Sequence, residues 1–459
     1  MALNSAITCE GAEIGRAQAL QAEAARVPAS SDMNPVLLKT AGKSGMQVIL
    51  DGKVQATMTA RDYYAAKKDI WPRIASAYDR LAQQHQLIII EGAGSPAEIN
   101  LLDVDIVNMA MAEYARAPVL LLGDIEKGGV FASLFGTIAL LEDRSAAVKG
   151  FIINKFRGDR SILEPGLRMI AEKTGLPVIG VLPHLSETGL PEEDGLALSR
   201  NTGMLPHNGN PIRIVIVRHA SISNFTDFDP LRMEPDVSLV YSGDARDLLA
   251  ADLIIVPGTK NTVADLLALQ ANGMAEGIRV AHASGKRIIG ICGGYQMLGR
   301  VIRDPKHVES VHGEVGGLGL LPIETDFTAS KTTAHSSARI VATDFFPELG
   351  GAALDGYEIH MGESSGGGIF EVERRSGAVL QRLPDGARNG SCWGTYLHGI
   401  FDNDEFRRAV INEVRGTKGI APHFSGVDYR NERNKSIDRL ADTVREHCDL
   451  DAIRRIIAA

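Results

Sequence analysis

The chain has few of the features that mark secreted, membrane-spanning or nucleic-acid-binding proteins. Only four of its 459 residues are cysteines and none forms a CxxC pair, which argues against a disulfide framework or a zinc site and favours a reducing cytoplasm. Lys and Arg number 48 against 57 Asp and Glu, so the net charge of −9 excludes a broad nucleic-acid-binding surface. No apolar run approaches the roughly 18 residues that span a bilayer. The first residues, MALNSAITCEGAEIG, carry no secretion signal.

What is present is the composition of a globular protein with more than one domain. Hydrophobic residues make up 44% of the sequence, enough to build large cores. The length is about three times that of a typical domain of roughly 150 residues. Glycine occurs 48 times, which predicts many tight backbone turns of the kind that ligand-binding loops need.

Short apolar segments alternate with helical patterns along both halves of the chain, which predicts parallel sheets of the α/β class. Predicted strands of the first half are LIIIEG, PVLLLGD, KGFIINK and PVIGVLP, and those of the second half are RIVIVR, VSLVY, ADLIIVPG and KRIIGIC. Between them, residues 201–211 are rich in Asn, Gly and Pro and predict a linker. We therefore expect one domain over residues 1–200 and a second over residues 212–459, the latter ending in a helical tail.

Cys292 is the strongest candidate for a catalytic residue. It directly follows the predicted strand KRIIGI, is surrounded by glycines in GICGGYQMLG, and precedes a helical pattern. This is the arrangement of a nucleophile elbow with Cys in place of Ser. A lone Cys is most often a buried structural residue, but the Gly-Cys-Gly-Gly turn after a strand favours a nucleophile.

A nucleophilic thiol needs a base and a site for the oxyanion. His398 ends the segment GTYLH and is the candidate base. The backbone N–H groups of Gly258, in PGTKNT, and of Gly293 are candidates for the oxyanion hole. A third segment, GYEIHMGES, places Glu358 and His360 on one face of a predicted strand, and we interpret His360 as a neighbour of the site and not as the base.

Polar residues also follow the predicted strands of the first half, where ligands of open α/β sheets bind. Glu91 and Asp124 are candidates for holding Mg²⁺ beside phosphates. Asn154 and Lys155 follow the next strand and are candidates for contacts with a nucleotide. Each of these loops alone reads most simply as a solvated turn, and the signal lies in their recurrence on successive strands.

Two groups of motifs resemble known families. GICGGYQMLG, PGTKNT and TYLHG resemble the triad-type (class I) glutamine amidotransferase domain, in the branch found in cobalamin biosynthesis. The first half, with NPVLLK, DYYAAKK and the strand-end loops, resembles a P-loop-type amidoligase domain like that of dethiobiotin synthetase. The order of the domains and the segment YEIHMG resemble those of the cobyric acid synthase family. The resemblance extends over nearly the whole chain.

The resemblance implies a glutamine- and ATP-dependent amidation. Cys292 would form a glutamyl thioester and His398 would move the protons, and the ammonia would be coupled to the b, d, e and g carboxylates of adenosylcobyrinic acid a,c-diamide through an acyl-phosphate-type step. ATP and Mg²⁺ would be co-substrate and activator, with no tightly bound prosthetic group and no nucleic-acid or membrane partner. Candidate partners for the substrate anions are Lys39, Lys127 and Arg157. The oligomeric state stays open.

The sequence departs from the family pattern at two points. Many triad-type relatives have Glu two residues after the His, where this chain has Ile400, so the group that orients His398 stays open, with Asp402 and Glu363 as candidates. The family opens with a strand and a GxxxxGK[ST] phosphate loop before a segment like MALNS, and we expect that loop to be absent here. Two alternatives remain: a related corrinoid a,c-diamide synthase, against which the YEIHMG segment argues, and, because of the expected absence of the loop, a glutaminase or binding protein without synthetase activity.

Overall fold

The structure is a computed structural model that describes residues 3–40, 45–186, 188–191, 212–376 and 379–459. The predicted linker, residues 201–211, lies outside the described residues. Internal contacts divide the chain into two compact units, Met1–Ala60 with Pro191–Glu432 and Arg61–Leu190 with Arg433–Ala459. We call them the large unit and the small unit. This division places residues 1–60 with the second half of the chain, whereas the sequence-based boundaries, which stay a prediction, group them with the first half.

The N-terminal segment of the large unit is built from short antiparallel pairings. Its elements are β1 (Ser5–Ile7), β2 (Glu13–Gly15), α1 (Arg16–Ala24), β3 (Val36–Thr40), β4 (Met46–Leu50) and β5 (Lys53–Met58). β1 pairs with β2, and β3, β4 and β5 form a separate antiparallel sheet. Val48 and Ile49 of β4 are fully buried.

The small unit contains a parallel sheet in the order β6-β7-β8. Its elements are α2 (Ala60–Gln84), α3 (Met109–Ala115), β6 (Val119–Asp124), α4 (Val130–Leu141), β7 (Val148–Phe156), α5 (Arg160–Thr174) and β8 (Val178–Pro183). Phe151 and Ile153 of the central strand are fully buried and pack against Leu134 of α4 and Ile170 of α5. Three of the four strands predicted for the first half are therefore confirmed.

The fourth prediction, a strand at LIIIEG, is wrong. Residues 87–92 have no regular structure, and the side chain of Ile89 is 88% exposed. A strand needs a neighbouring strand for its backbone hydrogen bonds. Within the described residues β6, at one edge of the small unit's sheet, pairs with β7 and not with residues 87–92. Apolar periodicity alone does not reveal whether such a neighbour exists.

The large unit continues with a six-stranded sheet in the order β10-β9-β11-β12-β20-β19, in which β20 is Cys392–Thr395 and β19, the one antiparallel strand of this sheet, is Ala387–Asn389. The elements up to the second sheet are β9 (Ile212–Val217), α6 (Asp229–Arg232), β10 (Val237–Ser242), α7 (Ala245–Ala250), β11 (Leu253–Val256), α8 (Thr262–Ala271), α9 (Met274–Ala283), β12 (Arg287–Ile291) and α10 (Gly293–Leu298). All four residues of β11 are fully buried. Strands covered on both faces need continuous apolar runs, which explains why the sequence predicts these strands well.

A second sheet, in the order β14-β13-β15-β17-β18 with β16 paired to β15, completes the large unit. The remaining elements of the large unit are β13 (Val301–Arg303), β14 (Glu314–Gly316), β15 (Glu324–Ile340), β16 (Ala353–Ser365), β17 (Phe370–Ser376), β18 (Val379–Asp385), β19 (Ala387–Asn389), β20 (Cys392–Thr395) and α11 (Asp404–Thr417). Most of α12 (Tyr429–His447) and all of α13 (Leu450–Ala458) belong to the small unit. The helices over the described ranges include none that is both long and apolar enough to cross a membrane.

Candidate active site

Cys292 lies at a sharp turn between β12 and α10. Its backbone adopts φ 53° and ψ −112°, a strained conformation for a residue with a side chain. The turn needs glycine beside it, because a Cβ on Gly294 would lie 1.9 Å from the carbonyl oxygen of Val256. The Sγ of Cys292 is 3.4 Å from the carbonyl oxygen of Ile359, and the residue is only 5% exposed. The strand–turn–helix arrangement and the strain are those of a nucleophile elbow.

His398 lies close to Cys292 because β12 and β20 are neighbouring parallel strands. The amide of Cys292 donates to the carbonyl of Thr395, at the end of β20, and His398 follows three residues later. Two backbone hydrogen bonds with Tyr357 hold His398 in place, and the Tyr357 ring stacks on the imidazole at 5.2 Å. The structure thus brings the two predicted catalytic residues to the same edge of the sheet.

Asp227 completes a Cys–His–Asp arrangement. The Oδ2 of Asp227 is 2.6 Å from Nδ1 of His398, and both side chains are buried. Burial alone would lower the pKa of His398, but the charges and hydrogen bonds of Asp227 and Cys292 outweigh it and raise the pKa to about 10. With Nδ1 committed to Asp227, Nε2 is the nitrogen left for the thiol. The imidazolium can therefore pair with a thiolate and later donate its proton.

Sequence reasoning missed Asp227, and neither proposed alternative takes its place. Asp227 lies in the 3₁₀ turn Phe225–Phe228 that follows β9, whereas Asp402 ends another 3₁₀ turn and Glu363 pairs with Asp326 in the second sheet. A usable signal existed, since a carboxylate in the loop after a parallel strand lies at the ligand-binding edge of the sheet. The buried setting of that loop, with Phe225 and Phe228 in the core, is visible only in the structure.

Of the two proposed oxyanion residues, Gly293 directly follows Cys292 and lines the cavity, and Gly258 lies near His398. Gly293 is the first residue of α10, where backbone N–H groups have no partner within the helix. A Cβ on Gly258 would lie 3.2 Å from the imidazole of His398, so glycine allows this loop to approach the base. The next residue, Thr259, lines the cavity over Cys292, and its hydroxyl donates to Asp265, which fixes the loop.

A cavity of about 110 Å³ opens over Cys292. Part of its wall comes from the N-terminal segment, through Lys39 and Gln47, and part from β15 and β16, through Lys331 and His360. Lys39, predicted to bind a substrate anion, therefore lies at the thiol site of the large unit. The ring of His360 stacks on Tyr396 at 3.9 Å, and its Nδ1 bonds the carbonyl of Gly362, which leaves His398 as the imidazole beside the thiol.

In the small unit, the carboxyl ends of β6 and β7 gather charged side chains. Lys155 Nζ lies 2.8 Å from Asp124, and Arg157 lies 3.1 Å from Glu126. The hydrogen bond from Lys155 is the main reason that the pKa of Asp124 is lowered. Asn154 accepts a hydrogen bond from the Lys155 amide. Three of the predicted nucleotide-site residues thus meet at one edge of the sheet.

Two further residues predicted for the nucleotide or substrate site, Lys127 and Glu91, are exposed. Lys127 follows β6 in a glycine-rich loop, and Glu91 lies in the irregular segment after α2. The carboxylate oxygens of Asp124 and Glu126 have the chemistry that Mg²⁺ prefers, and Lys155 and Arg157 have the charge that phosphates require. Among the described residues no three His, Cys, Asp or Glu side chains cluster closely enough to hold a metal by themselves. An ion here would need oxygen ligands from a bound nucleotide or from water.

Comparisons with known families assign two successive parts of the chain to two different families. Residues 213–406 match the family described as a CobB/CobQ-like glutamine amidotransferase domain, and residues 13–192 match an AAA domain. A crystal structure titled as a glutamine amidotransferase is 17% identical, with 45% of this chain and 99% of that chain covered and a TM-score of 0.31. The family matches and the site together define an α/β enzyme that joins an ATP-binding domain to a glutamine amidotransferase domain.

Full-length relatives narrow this class further. A cobyric acid synthase of Thermodesulfovibrio yellowstonii is 46% identical over 99% of this chain and 91% of its own length. Those of Syntrophobacter fumaroxidans and Citrobacter koseri are 43% and 46% identical over 100% of this chain and 91% and 90% of their own lengths. The chain belongs to the cobyric acid synthase family, whose members are ATP-dependent glutamine amidotransferases.

Proposed function

We propose that the large unit hydrolyses glutamine at Cys292 and that the ammonia serves ATP-dependent amidation of a corrinoid. The observation that carries the first step is the buried contact of Asp227 with His398 beside a thiol on a strained elbow. No general structural role requires an imidazolium, a carboxylate and a strained cysteine at the edge of one parallel sheet. This combination is the one that thiol-based acyl transfer uses.

The chemistry follows from the positions of the groups. The Cys292 thiolate attacks the side-chain amide carbon of glutamine, forming a C–S bond, and the N–H of Gly293 and the loop after β11 stabilise the oxyanion. His398 then donates a proton to the amide nitrogen, the C–N bond breaks and ammonia leaves. Water attacks the thioester while His398 takes one of its protons, and glutamate and the thiol are released. Asp227 orients the ring and stabilises its charged form throughout.

The second half-reaction uses the small unit. ATP supplies the phosphoryl group that activates a carboxylate, and ammonia then attacks the activated carbon, forms the C–N bond and displaces phosphate. Asp124 and Glu126 would hold Mg²⁺, and Lys155 and Arg157 would bind the phosphate oxygens. The charge on these groups supports the assignment, because a carboxylate acceptor and ATP repel each other unless cations lie between them.

The relatives support the corrinoid as the acceptor. Since the similar full-length proteins are cobyric acid synthases, the acceptor is adenosylcobyrinic acid a,c-diamide, and its b, d, e and g carboxylates become amides. A parallel reaction with the corrinoid that lacks the a and c amides tests the related diamide synthase activity. Mass spectrometry of the products distinguishes the two.

The decisive experiment replaces the nucleophile. Cys292→Ser is expected to reduce glutamine hydrolysis by about 10³-fold or more, while synthesis supported by ammonium chloride continues. Cys9→Ser, at an exposed cysteine outside the cavity, is the matched control. Unchanged glutamate production by Cys292→Ser would overturn the assignment.

A further inference from the structure

The turn that carries Asp227 begins at Asn224. Asn224 directly precedes the 3₁₀ turn Phe225–Phe228 and has a left-handed backbone, with φ 51° and ψ 40°. Its carbonyl oxygen accepts from the amide of Asp227 at 3.0 Å. Asn is one of the few residues with a side chain that adopt this conformation readily. The position of the carboxylate that faces His398 therefore depends on Asn224.

The side-chain amide of Asn224, a residue only 3% exposed, lies between the N-terminal segment and the base. Its Oδ1 accepts from the backbone N–H of Ser5 at 3.0 Å, and its Nδ2 is 3.5 Å from Nδ1 of His398. Because a backbone N–H can only donate, the contact with Ser5 determines which end of the amide faces the imidazole. The backbone N–H of Asn224 also donates to the carbonyl of Leu3, at 3.4 Å. Two hydrogen bonds thus connect Asn224 to the start of the N-terminal segment.

The orientation of this amide matters because Nδ1 of His398 has only one proton to donate. That proton faces Oδ2 of Asp227, 2.6 Å away. An amide oxygen beside Nδ1 would be a second acceptor for the same proton and would allow the ring to turn away from the carboxylate. The NH₂ end of Asn224 does not accept the proton, so Asp227 is left as its acceptor.

The N-terminal segment is anchored to β15 at two further points. The hydroxyl of Thr333 donates to the carbonyl of Gly11 at 3.0 Å, and Lys331 donates to Glu13 at 2.6 Å. Glu13 is only 1% exposed, so this ion pair is little screened by water. Ser5 lies outside residues 213–406, the part that matches the glutamine amidotransferase family. A segment outside that domain therefore reaches the residues around its base.

We propose that Asn224 is a positioning residue of the thiol site, through which the N-terminal segment holds Asp227 in contact with His398. Asn224 starts the turn of Asp227 and keeps its own oxygen away from Nδ1, and it takes no part in making or breaking bonds. The inference rests on the proposed glutaminase function and adds a dependence to it. Glutamine turnover depends on a segment of the chain that lies outside the glutaminase domain.

Asn224→Gly tests the side chain while sparing the backbone, because glycine adopts a positive φ without strain. Misplacement of Asp227 should lower kcat for glutamine hydrolysis by about 10- to 100-fold, with KM nearly unchanged. The basic limb of the kcat/KM profile should move to lower pH, because His398 loses part of its contact with the carboxylate. Arg26→Gly, at an exposed residue with φ 58°, is the matched control.

A double-mutant cycle separates positioning from a general structural role. If Asn224 acts through Asp227, its removal costs nothing more once the carboxylate is gone. The double variant of Asn224→Gly and Asp227→Asn should then be as active as Asp227→Asn alone. Multiplied losses in the double variant, or a wild-type kcat in Asn224→Gly, would overturn the inference. A rise in KM with kcat unchanged would also overturn it, since Asn224 would then be a contact of the substrate.

Ser5→Pro tests the connection to the N-terminal segment, because proline has no N–H to donate to Asn224. Ser5 is the first residue of β1, a position at which strands tolerate proline. The variant should reproduce the fall in kcat of Asn224→Gly and add nothing to it when the two are combined. A wild-type kcat in Ser5→Pro, or a loss much larger than that of Asn224→Gly, would overturn this connection.

Failure of the underlying function has a different signature. A wild-type chain that hydrolyses no glutamine contradicts the proposed function itself, and so do wild-type rates in both Cys292→Ser and Asp227→Asn. If those two variants lose activity and Asn224→Gly does not, only the positioning role of Asn224 is contradicted.

Discussion

The two candidate sites of the chain are built in opposite ways. In the large unit, Cys292, His398 and Asp227 are all at least 95% buried, and each is fixed by backbone or side-chain contacts. In the small unit, the paired side chains Lys155 and Asp124 are 45% and 32% exposed, and Arg157 is 63% exposed. The first site has its candidate catalytic groups held by contacts within the protein, whereas the second presents charges at an open sheet edge.

This difference has an energetic consequence. Charges that interact away from water keep most of their interaction free energy, whereas exposed pairs are screened and contribute about 0–1 kcal/mol. Removing one group from the buried site should therefore have a large effect. Removing one group from the open edge should have a small effect on stability. Its larger effect should be on the binding of a nucleotide. The following variants test this comparison.

The largest effect is expected for Asp227→Asn. Loss of the carboxylate leaves His398 without its orienting charge, and kcat for glutamine hydrolysis should fall by about 10²- to 10⁴-fold. Asp344→Asn, at an exposed residue paired with Arg388, should have no effect on this rate. Wild-type kcat in Asp227→Asn would show that another group orients the base.

The same variant should change the pH dependence. Since Asp227 helps to raise the pKa of His398 to about 10, the imidazolium persists to high pH and is lost only as the pH rises through that value. In Asp227→Asn the basic limb of the kcat/KM profile should move to lower pH. A basic limb at the same pH in both enzymes would exclude His398 as the titrating group.

A large effect on stability is expected for Glu358→Gln. Glu358 is fully buried and accepts from Ser336 and, twice, from Arg374, each at 2.7 Å. Leaving Arg374 without its anion should lower the free energy of unfolding by about 3–5 kcal/mol. Urea denaturation, followed through the unfolding transition of the large unit, measures this loss of free energy. A loss under about 1 kcal/mol, the range of exposed pairs, would remove the energetic contrast between buried and exposed charges.

An intermediate effect is expected for Lys155→Met. The substitution removes a cation from the edge that would bind phosphate, and the Kd for ATP–Mg²⁺ should rise by about 10-fold. Isothermal titration calorimetry measures the Kd, and Lys149→Met, near the start of the same strand, is the control. Glutamine hydrolysis should stay at its wild-type rate. An unchanged Kd would remove Lys155 from the nucleotide site.

The smallest effect is expected for Glu126→Gln. Its partner Arg157 is well exposed, so the free energy of unfolding should change by about 1 kcal/mol or less. The measurement is urea denaturation followed through the unfolding transition of the small unit, to which both residues belong. A loss as large as that of Glu358→Gln would show that this exposed ion pair contributes as much to the free energy of unfolding as a buried one.

Local sequence was enough to predict the residues that lie next to regular elements. Cys292 stands out because it directly follows an apolar strand, and His398 because it lies three residues after the end of the neighbouring one; parallel strands bring their carboxyl ends to one edge. Asp124, Asn154 and Lys155 stand out for the same reason. The strand predicted at LIIIEG failed because pairing is a property of a neighbour and not of the segment itself.

The sequence by itself determined the α/β class, the elbow around Cys292 and the strand ends at which the candidate site residues lie, because these depend on apolar runs and glycine turns within a few residues. Only the tertiary structure decided which carboxylate faces His398 and that Glu13 and Lys39, from the N-terminal segment, join Lys331 at the thiol cavity. These contacts join residues far apart in the chain. Their positions depend on how separate sheets pack, and no local pattern records that packing.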